Sequence, residues 1–134
     1  MANERIWVID DDRSIRWVLE RALDQAGLTA ASFESATPAL ARLENEQPDV
    51  IITDVRMPGP DGMEVLRTIK KRWPDCEVVV ITGYPTIESA KEAVRLGAQN
   101  YIVKPVGPDD VIQAANEAMN QKRWALHSEH RVNH

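Results

Sequence analysis

The sequence has little cysteine and no long apolar run, since Cys76 is the single cysteine among 134 residues. One cysteine excludes an internal disulfide and fits a protein of a reducing compartment. A membrane-spanning helix needs about 18 or more consecutive apolar residues, and no stretch approaches that length. The apolar segment near the start is also too short for the core of a signal peptide. We therefore expect a soluble cytoplasmic protein with no membrane partner.

The charge balance lacks a basic excess. Sixteen Lys and Arg residues stand against 21 Asp and Glu residues, and the net charge is −5. These totals do not indicate a basic patch, so we expect no direct contact with nucleic acid. The length fits one domain, and 43% hydrophobic residues are enough for an ordinary core.

Short apolar runs alternate with amphipathic segments along the chain. Two β-branched runs, at residues 50–53 and 78–81, lack polar alternation, which is typical of strands buried on both faces. Apolar residues spaced three and four apart predict helices between the runs. The predicted strands are residues 5–9, 28–33, 50–53, 78–81 and 100–103. Two predicted helices span residues 14–26 and 63–72, and three more begin at Ser35, at Pro85 or Thr86, and at Pro108. We expect Ser35 to cap its helix.

This alternation of five strands with five helices predicts an α/β fold. The strands would be parallel and joined by right-handed crossovers, with helices on both faces of the sheet. In the fourth helix we expect Ala90 and Val94 to belong to the core. Residues 1–121 are predicted to form one domain, and residues 122–134 to be the start of a linker or an appended tail.

Polar residues follow the apolar bodies of four predicted strands. They are Asp10, Asp11 and Asp12 after the first strand, Asp54 after the third, Thr82 after the fourth, and Lys104 and Pro105 after the fifth. The carboxyl ends of parallel strands lie on one edge of a sheet, and open α/β sheets bind ligands beyond that edge. The sequence therefore predicts one crevice that gathers these side chains.

Carboxylates packed within a few ångströms repel one another, and each raises the pKa of the other. Mg²⁺ removes this conflict, because it binds carboxylate, carbonyl and water oxygens and often bridges to phosphate. Lys104 and Thr82 would add donors for phosphate oxygens. These parts are what phosphoryl transfer to an aspartate requires. Taken singly, Asp12 fits a helix N-cap, and Thr82 and Lys104 fit a hydroxyl bonded to backbone and a solvated surface charge better than functional roles. Their occurrence together at successive strand ends favours the functional interpretation.

The motifs at the strand ends resemble those of a known family. The acidic triplet, the segment Asp54-x-x-Met57-Pro58-x-x-Asp61-Gly62, the pair Thr82-Gly83 and the pair Lys104-Pro105 resemble the signature of two-component response-regulator receiver domains. The resemblance covers residues 6–120, and residues 7–23 resemble receivers of σ54-dependent transcription activators of the NtrC type. It implies a flavodoxin-like (CheY-like), doubly wound sheet of five parallel strands in the order 2-1-3-4-5, with five helices.

The resemblance also implies roles for individual residues. Asp54 would be the phosphoacceptor, and Lys104 and Thr82 would hold and sense the phosphate. Tyr101 would be the switch aromatic, although a tyrosine at the edge of the core is an equally good interpretation. The implied Mg²⁺ ligands are Asp11 directly, Asp10 through water, Asp54 and the backbone carbonyl of Arg56, with Asp12 as an alternative; Gly83 and Pro105 complete the motifs.

The implied partners are a sensor histidine kinase, an ATPase or DNA-binding output domain, and a second copy of the chain after phosphorylation. The domain would not be an enzyme, although it would assist its own phosphotransfer and dephosphorylation. A stand-alone receiver that works by protein binding is the main alternative. The segment Gly83-Tyr84-Pro85 after the threonine, and Val106 at the position of an aromatic residue, depart from the NtrC-type pattern.

Two other classes of protein share part of this pattern. A flavodoxin-like electron carrier needs a glycine- and hydroxyl-rich first loop, and three aspartates there would repel the phosphate of its cofactor. A phosphatase of the haloacid dehalogenase class needs an Asp-x-Asp pair after the first strand, which Asp10 and Asp12 provide. Asp54 and the Met-Pro loop fit that phosphatase class poorly.

Overall fold

The computed structural model describes residues 4–132, with side chains up to residue 121. Its centre is a parallel sheet of five strands in the order β2-β1-β3-β4-β5, which confirms the predicted topology. The elements are β1 Ile6–Ile9, α1 Arg13–Gln25, β2 Ala30–Phe33, α2 Ala36–Leu43, β3 Val50–Asp54, α3 Gly62–Arg72, β4 Glu77–Thr82, α4 Ile87–Leu96, β5 Asn100–Val103 and α5 Pro108–Val132.

Both faces of the sheet are covered by apolar clusters. In β1, Ile6 and Val8 pack into the cluster that includes α1 and α5, whereas Trp7 and Ile9 pack into the cluster that includes α2 and α3. All five residues of β3 are buried, as are five of the six in β4. Successive side chains of a strand point to opposite faces, so two covered faces require apolar residues at every position. The prediction that these strands are buried on both sides is confirmed.

Capping residues set the ends of the helices. Asp12 precedes α1 and accepts hydrogen bonds from two of its backbone N–H groups. Thr86 precedes α4, and Gly97 ends that helix with a φ of 96°, in the left-handed region that favours glycine. Ser35 occupies the N-cap position of α2, but its side chain makes no capping hydrogen bond with the described residues. The predicted position of Ser35 at the start of this helix is confirmed, and only the expected capping bond from its hydroxyl group is wrong.

The prediction that Val94 belongs to the core is also wrong. Its side chain is 73% exposed, whereas the neighbouring Ala93 is fully buried and Ala90 is half-buried. Successive residues of an α-helix differ by about 100° in direction, because one turn takes 3.6 residues. Since α4 turns Ala93 toward the sheet, Val94 points outward. Apolar spacing predicted the helix correctly but not which of its apolar residues face inward.

The last helix begins at Pro108 as predicted and continues to Val132. Val111, Ala115 and Met119 are buried against the sheet, and Ile112 packs against the same cluster. The boundary at residue 121 remains a prediction. Among residues 4–132, no helix combines the length and the apolar character needed to cross a bilayer.

Gly62, the first residue of α3, lies so close to β3 that it leaves no room for a side chain. A Cβ there would overlap the carbonyl oxygen of Asp54 and lie 2.8 Å from the Cα of Val55. We expect Gly62→Ala to lower the free energy of unfolding by about 1–3 kcal/mol, because backbone must shift to admit the methyl group. Urea denaturation measures this change.

Gly83→Ala is the matched control for this prediction. A Cβ at position 83 would lie 3.8 Å from Cδ of Lys104, an ordinary van der Waals contact. Its free energy of unfolding should stay within about 0.5 kcal/mol of the parent value. Equal stability of Gly62→Ala and the parent would contradict the close approach of α3 to β3.

Candidate functional site

Four strand ends meet at one edge of the sheet. Asp54 is the last residue of β3 and Thr82 the last of β4. Asp10 follows β1 directly, and Lys104 follows β5 directly. The register aligns these ends, because Ile9 pairs with Thr53, Asp54 with Ile81, and Thr82 with Val103. The predicted convergence of the four segments is therefore present.

Lys104 occupies the middle of this edge. Its Nζ donates one hydrogen bond to Oδ2 of Asp54 and one to Oδ2 of Asp10, each 2.9 Å long. Burial lowers the pKa of Lys104, but its bonds to the two carboxylates outweigh burial and leave the pKa above its ordinary value. The ammonium group therefore stays charged at neutral pH, and the description of Lys104 as an ordinary surface charge does not apply.

Asp10 is fully buried beneath this ammonium group. Burial disfavours the charged carboxylate and raises the pKa of Asp10, although the hydrogen bond from the Asp12 N–H and the bond from Lys104 oppose the shift. The Asp12 N–H donates to Oδ1 at 2.9 Å. Arg16, which the sequence analysis did not single out, donates from Nη1 to the backbone carbonyl of Asp10 at 2.7 Å.

Three carboxylates gather tightly enough to hold one metal ion. Oxygens of Asp10, Asp11 and Asp54 all lie within 4.8 Å of one another. Three negative charges beside the single positive charge of Lys104 leave a net charge of two negatives, which a divalent cation balances. Hard oxygen donors of this kind suit hard divalent cations, Mg²⁺ among them. The donor set therefore fits the predicted cofactor.

Asp12 stands apart from this group. Its Oδ1 accepts hydrogen bonds from the backbone N–H groups of Ser14 at 2.9 Å and Ile15 at 3.2 Å, so Asp12 is the N-cap of α1. This is the structural role that the sequence left open for Asp12. The aspartates whose oxygens lie within 4.8 Å of one another are Asp10, Asp11 and Asp54 and do not include Asp12, so Asp10 and Asp11 are the candidate metal pair.

Thr82 is buried at the end of β4, with 1% of its surface exposed. Its Oγ1 accepts a hydrogen bond of 3.0 Å from the backbone N–H of Tyr84. A hydroxyl group can accept and donate at once, so this bond leaves the Thr82 proton available for another acceptor. Gly83 lies beside the aliphatic stem of Lys104 and is exposed.

Arg56 and Tyr84 connect the two loops that border the site. The guanidinium carbon of Arg56 lies 4.4 Å from the centre of the Tyr84 ring, which is within cation–π range. Both residues are exposed, and they follow Asp54 and Thr82 by two residues each. The role of the Arg56 carbonyl as a metal ligand remains a prediction.

An apolar pocket of about 500 Å³ opens on the other side of Lys104. Pro105, whose peptide bond with Lys104 is cis, and Val106 form one wall, and Ile15 and Val18 of α1 contribute to the other. Val106 is one of the residues at which the sequence departs from the NtrC-type pattern. A partner side chain placed in this pocket would lie next to the lysine that contacts Asp54.

Tyr101 lies on β5, paired with Val80 in the sheet register. It is half-buried and packs against the cluster on the α3 and α4 side. Its hydroxyl group shares a hydrogen bond of 2.6 Å with Oγ of Ser89 in α4. Ser89 was not singled out from the sequence, because the residue that typically completes a capping box three positions after a threonine is glutamate or glutamine, not serine.

Asp61, which the sequence indicated only as part of the motif that begins at Asp54, is the N-cap of α3. Asp61 accepts hydrogen bonds from the N–H groups of Met63 and Glu64, both 3.0 Å long, and so caps α3. An aspartate followed three residues later by glutamate is typical of helix starts. This cap fixes the loop that leads from Asp54 to the close approach at Gly62.

Comparison with known proteins agrees with this geometry. The sequence pattern of the family described as "Response regulator receiver domain" matches residues 6–116. The chain belongs to this family. Family membership leaves the electron-carrier and phosphatase alternatives without support. The strand order does not separate these classes by itself, because flavodoxins share it.

The chain is similar to the receiver portions of larger transcription regulators. It is 44% identical over 115 residues to the DNA-binding transcriptional regulator NtrC of Salmonella typhimurium, a match that covers 86% of this chain and 24% of that protein. It is 38% identical over 121 residues to the C4-dicarboxylate transport transcriptional regulatory protein DctD of Rhizobium meliloti, covering 90% of this chain and 26% of that protein. The chain thus spans about a quarter of the length of these curated relatives.

Solved structures share the fold over nearly the whole chain. A CheY-like receiver domain from Methanospirillum hungatei superposes with a TM-score of 0.87 at 28% identity, covering 92% of this chain and 99% of that one. The beryllofluoride-activated NtrC4 receiver domain dimer gives a TM-score of 0.84 at 28% identity, covering 90% of this chain and 99% of that one. The chain is therefore a receiver domain of the type found in NtrC and DctD regulators.

The burial of Asp10 allows a prediction for the stability of the Asp10→Asn variant in the absence of metal. Because burial raises the pKa of Asp10, the unfolded chain loses this proton at lower pH than the folded protein. Stability should therefore fall as the pH rises from the ordinary aspartate pKa through the raised one. Asp10→Asn removes this cost, and we expect it to raise the free energy of unfolding at pH 7 by about 1 kcal/mol, measured by urea denaturation without metal.

Addition of MgCl₂ in the same denaturation experiment distinguishes a metal ligand, Asp10, from a neighbouring aspartate that does not bind the metal, Asp12. Mg²⁺ at about 100 times its dissociation constant should stabilise the parent by about 2.7 kcal/mol. Asp10→Asn should lose most of this gain, whereas Asp12→Asn, whose amide oxygen can still cap α1, should keep it. A larger loss in Asp12→Asn than in Asp10→Asn would overturn the assignment of the metal pair.

Proposed function

We propose that this receiver domain is a phosphorylation-activated switch, in which Asp54 accepts a phosphoryl group from a sensor histidine kinase. The observation that carries the proposal is the contact of the Asp54 carboxylate with Lys104, beside Asp10 and Asp11. A nucleophilic carboxylate, one fixed ammonium group and a divalent-cation site are the parts that phosphoryl transfer needs. The apolar pocket beside Lys104 is the place at which we expect apolar side chains of the kinase to pack.

In the proposed reaction, an oxygen of Asp54 attacks the phosphorus of a phosphohistidine in line with the nitrogen. The O–P bond forms as the N–P bond breaks, and the electron pair of that bond remains on the imidazole nitrogen. Lys104 turns from Asp54 Oδ2 to a phosphoryl oxygen and balances its charge. Mg²⁺ held by Asp10, Asp11 and Asp54, with the Arg56 carbonyl as a further ligand, would neutralise charge on the phosphoryl oxygens.

We also propose that Arg56 and Tyr84 control the lifetime of the aspartyl phosphate. Hydrolysis requires a water molecule to attack the phosphorus, which restores the Asp54 carboxylate and releases inorganic phosphate. The stacked pair joins the two loops that follow Asp54 and Thr82, and there it would limit the approach of water. Gly83 leaves the path beside Thr82 open for the phosphate itself.

Asp54→Asn tests the main proposal. After incubation with acetyl phosphate and Mg²⁺, the parent protein should gain one phosphoryl group by intact mass, because Asp54 is its acceptor. Asp54→Asn should gain none, since an amide oxygen is a poor nucleophile. Asp61→Asn is the matched control, because Asp61 is a helix cap whose amide can still accept from the same N–H groups. An unmodified parent, or a modified Asp54→Asn, would overturn the proposal.

We further propose that phosphorylation changes the association of two copies through α4 and β5. Ile87 and Val94 on α4 are 71% and 73% exposed, and Val103 on β5 is 48% exposed. Apolar side chains exposed side by side are typical of interaction surfaces. One structural neighbour is described as a dimer of a beryllofluoride-activated receiver domain. An output domain attached to the receiver would respond to this association. We place the receiver and its output domain in the cytoplasm, where the kinase can reach them.

Val94→Asp tests the dimer. With beryllofluoride and Mg²⁺, the parent should sediment as a dimer, and a charge at this face should weaken the dimer about tenfold or more. Trp17→Asp is the matched control, because Trp17 is 62% exposed on α1, at a different face. It should leave the association unchanged. A parent that stays monomeric at high concentration with beryllofluoride would contradict phosphorylation-dependent dimerisation.

A further inference from the structure

We propose that Ser89 is a positioning residue of the switch: its hydroxyl group holds Tyr101 against the start of α4 while Asp54 is unphosphorylated. The inference rests on the proposed switch function and assigns a task to a residue outside the phosphorylation site. The hydroxyl oxygens of Ser89 and Tyr101 lie 2.6 Å apart. This bond joins α4 directly to β5, two elements that otherwise meet through apolar contacts.

Ser89 is itself fixed by the capping box of α4. The Ser89 N–H donates to Oγ1 of Thr86 at 2.9 Å, and the Thr86 N–H donates to Oγ of Ser89 at 3.3 Å. Ser89 Oγ also lies 3.1 Å from the carbonyl oxygen of Thr86, to which it can donate its single proton. Ser89 then accepts from the Tyr101 hydroxyl group. The position of Tyr101 therefore depends on the position of the first turn of α4.

The first turn of α4 is in turn connected to the phosphorylation site. Thr82 Oγ1 accepts from the backbone N–H of Tyr84, and Pro85 alone separates Tyr84 from the Thr86 cap. If Thr82 turns toward a phosphoryl oxygen, Tyr84 loses this acceptor and the short loop can move. The Thr86 cap moves with the loop, and Ser89 is drawn away from Tyr101. The hydrogen bonds thus form a physical route from Thr82 to Tyr101.

The bond between Ser89 and Tyr101 belongs to the unphosphorylated arrangement of the site. Lys104 contacts both Asp54 and Asp10, so the described arrangement is that of the unphosphorylated site. A bond present in this arrangement and broken on activation stabilises the inactive population. Removing the Ser89 hydroxyl should therefore favour activation, although the rest of the site is unchanged.

The test is a double-mutant cycle on the affinity for beryllofluoride in the presence of Mg²⁺. The net free energy of one neutral hydrogen bond changes an equilibrium constant by roughly two- to tenfold. We expect Ser89→Ala and Tyr101→Phe each to tighten beryllofluoride binding by about this factor. In the Tyr101→Phe background, Ser89→Ala should have no further effect, because the bond is already lost.

This cycle also separates the bond to Tyr101 from the capping role of Ser89. Loss of the cap would weaken α4 equally in both backgrounds, so a purely structural role predicts the same change with Tyr101 and with Phe at that position. Ser89→Thr, which keeps a hydroxyl group, should restore the parent affinity. Ser32→Ala is the matched control, because it removes a 2.8 Å bond between Ser32 and Glu20 on the opposite side of the sheet.

A direct readout comes from 3-fluorotyrosine at position 101, with Tyr84→Phe to leave one signal. In the protein without beryllofluoride, Ser89→Ala should move the ¹⁹F resonance toward its beryllofluoride-bound position, because the active population rises. An unchanged resonance and unchanged affinity in Ser89→Ala would overturn the role of Ser89. Failure of the parent to bind beryllofluoride would instead overturn the proposed switch function.

Discussion

The contact of Lys104 with Asp54 and Asp10 is the interaction on which the rest of the structure depends. It holds together the ends of three strands, β1, β3 and β5, which have no covalent link near the site. Burying one ammonium group among three carboxylates leaves excess negative charge at the edge of the sheet. That excess raises the cost of the metal-free state and makes the edge selective for a divalent cation.

The fold keeps this charged cluster at the surface of an otherwise apolar sheet. Strands β1 and β3 are buried on both faces, so polar residues are admitted only where the strands end. Gly62 and the Asp61 cap then bring α3 close to the Asp54 carbonyl. Asp54 is consequently bordered by the backbone of α3 on one side and by the ammonium group of Lys104 on the other.

The β4–α4 loop connects this rigid cluster to a more exposed helix. Thr82 is buried and bonded to the loop, whereas Ile87 and Val94 of α4 are largely exposed. If Thr82 exchanges its hydrogen-bond partner, the loop can move, and α4 can move with it because its outer face is exposed to solvent. In the switch that we propose, the Ser89–Tyr101 bond would oppose that movement and keep the unphosphorylated domain inactive.

The sequence by itself determined the order of elements, the strand topology through its family resemblance, and the residues that meet at the sheet edge. These follow from local periodicity and from the rule that parallel strands end together. It did not determine that Val94 faces outward, that Ser35 leaves α2 without a side-chain cap among the described residues, or that Asp12 caps α1 instead of joining the acidic cluster. Each of these depends on the rotation of a helix or the direction of one side chain. Only the packing of α1, α2 and α4 against the sheet decides them, because periodicity gives the spacing of residues along a helix and not its orientation.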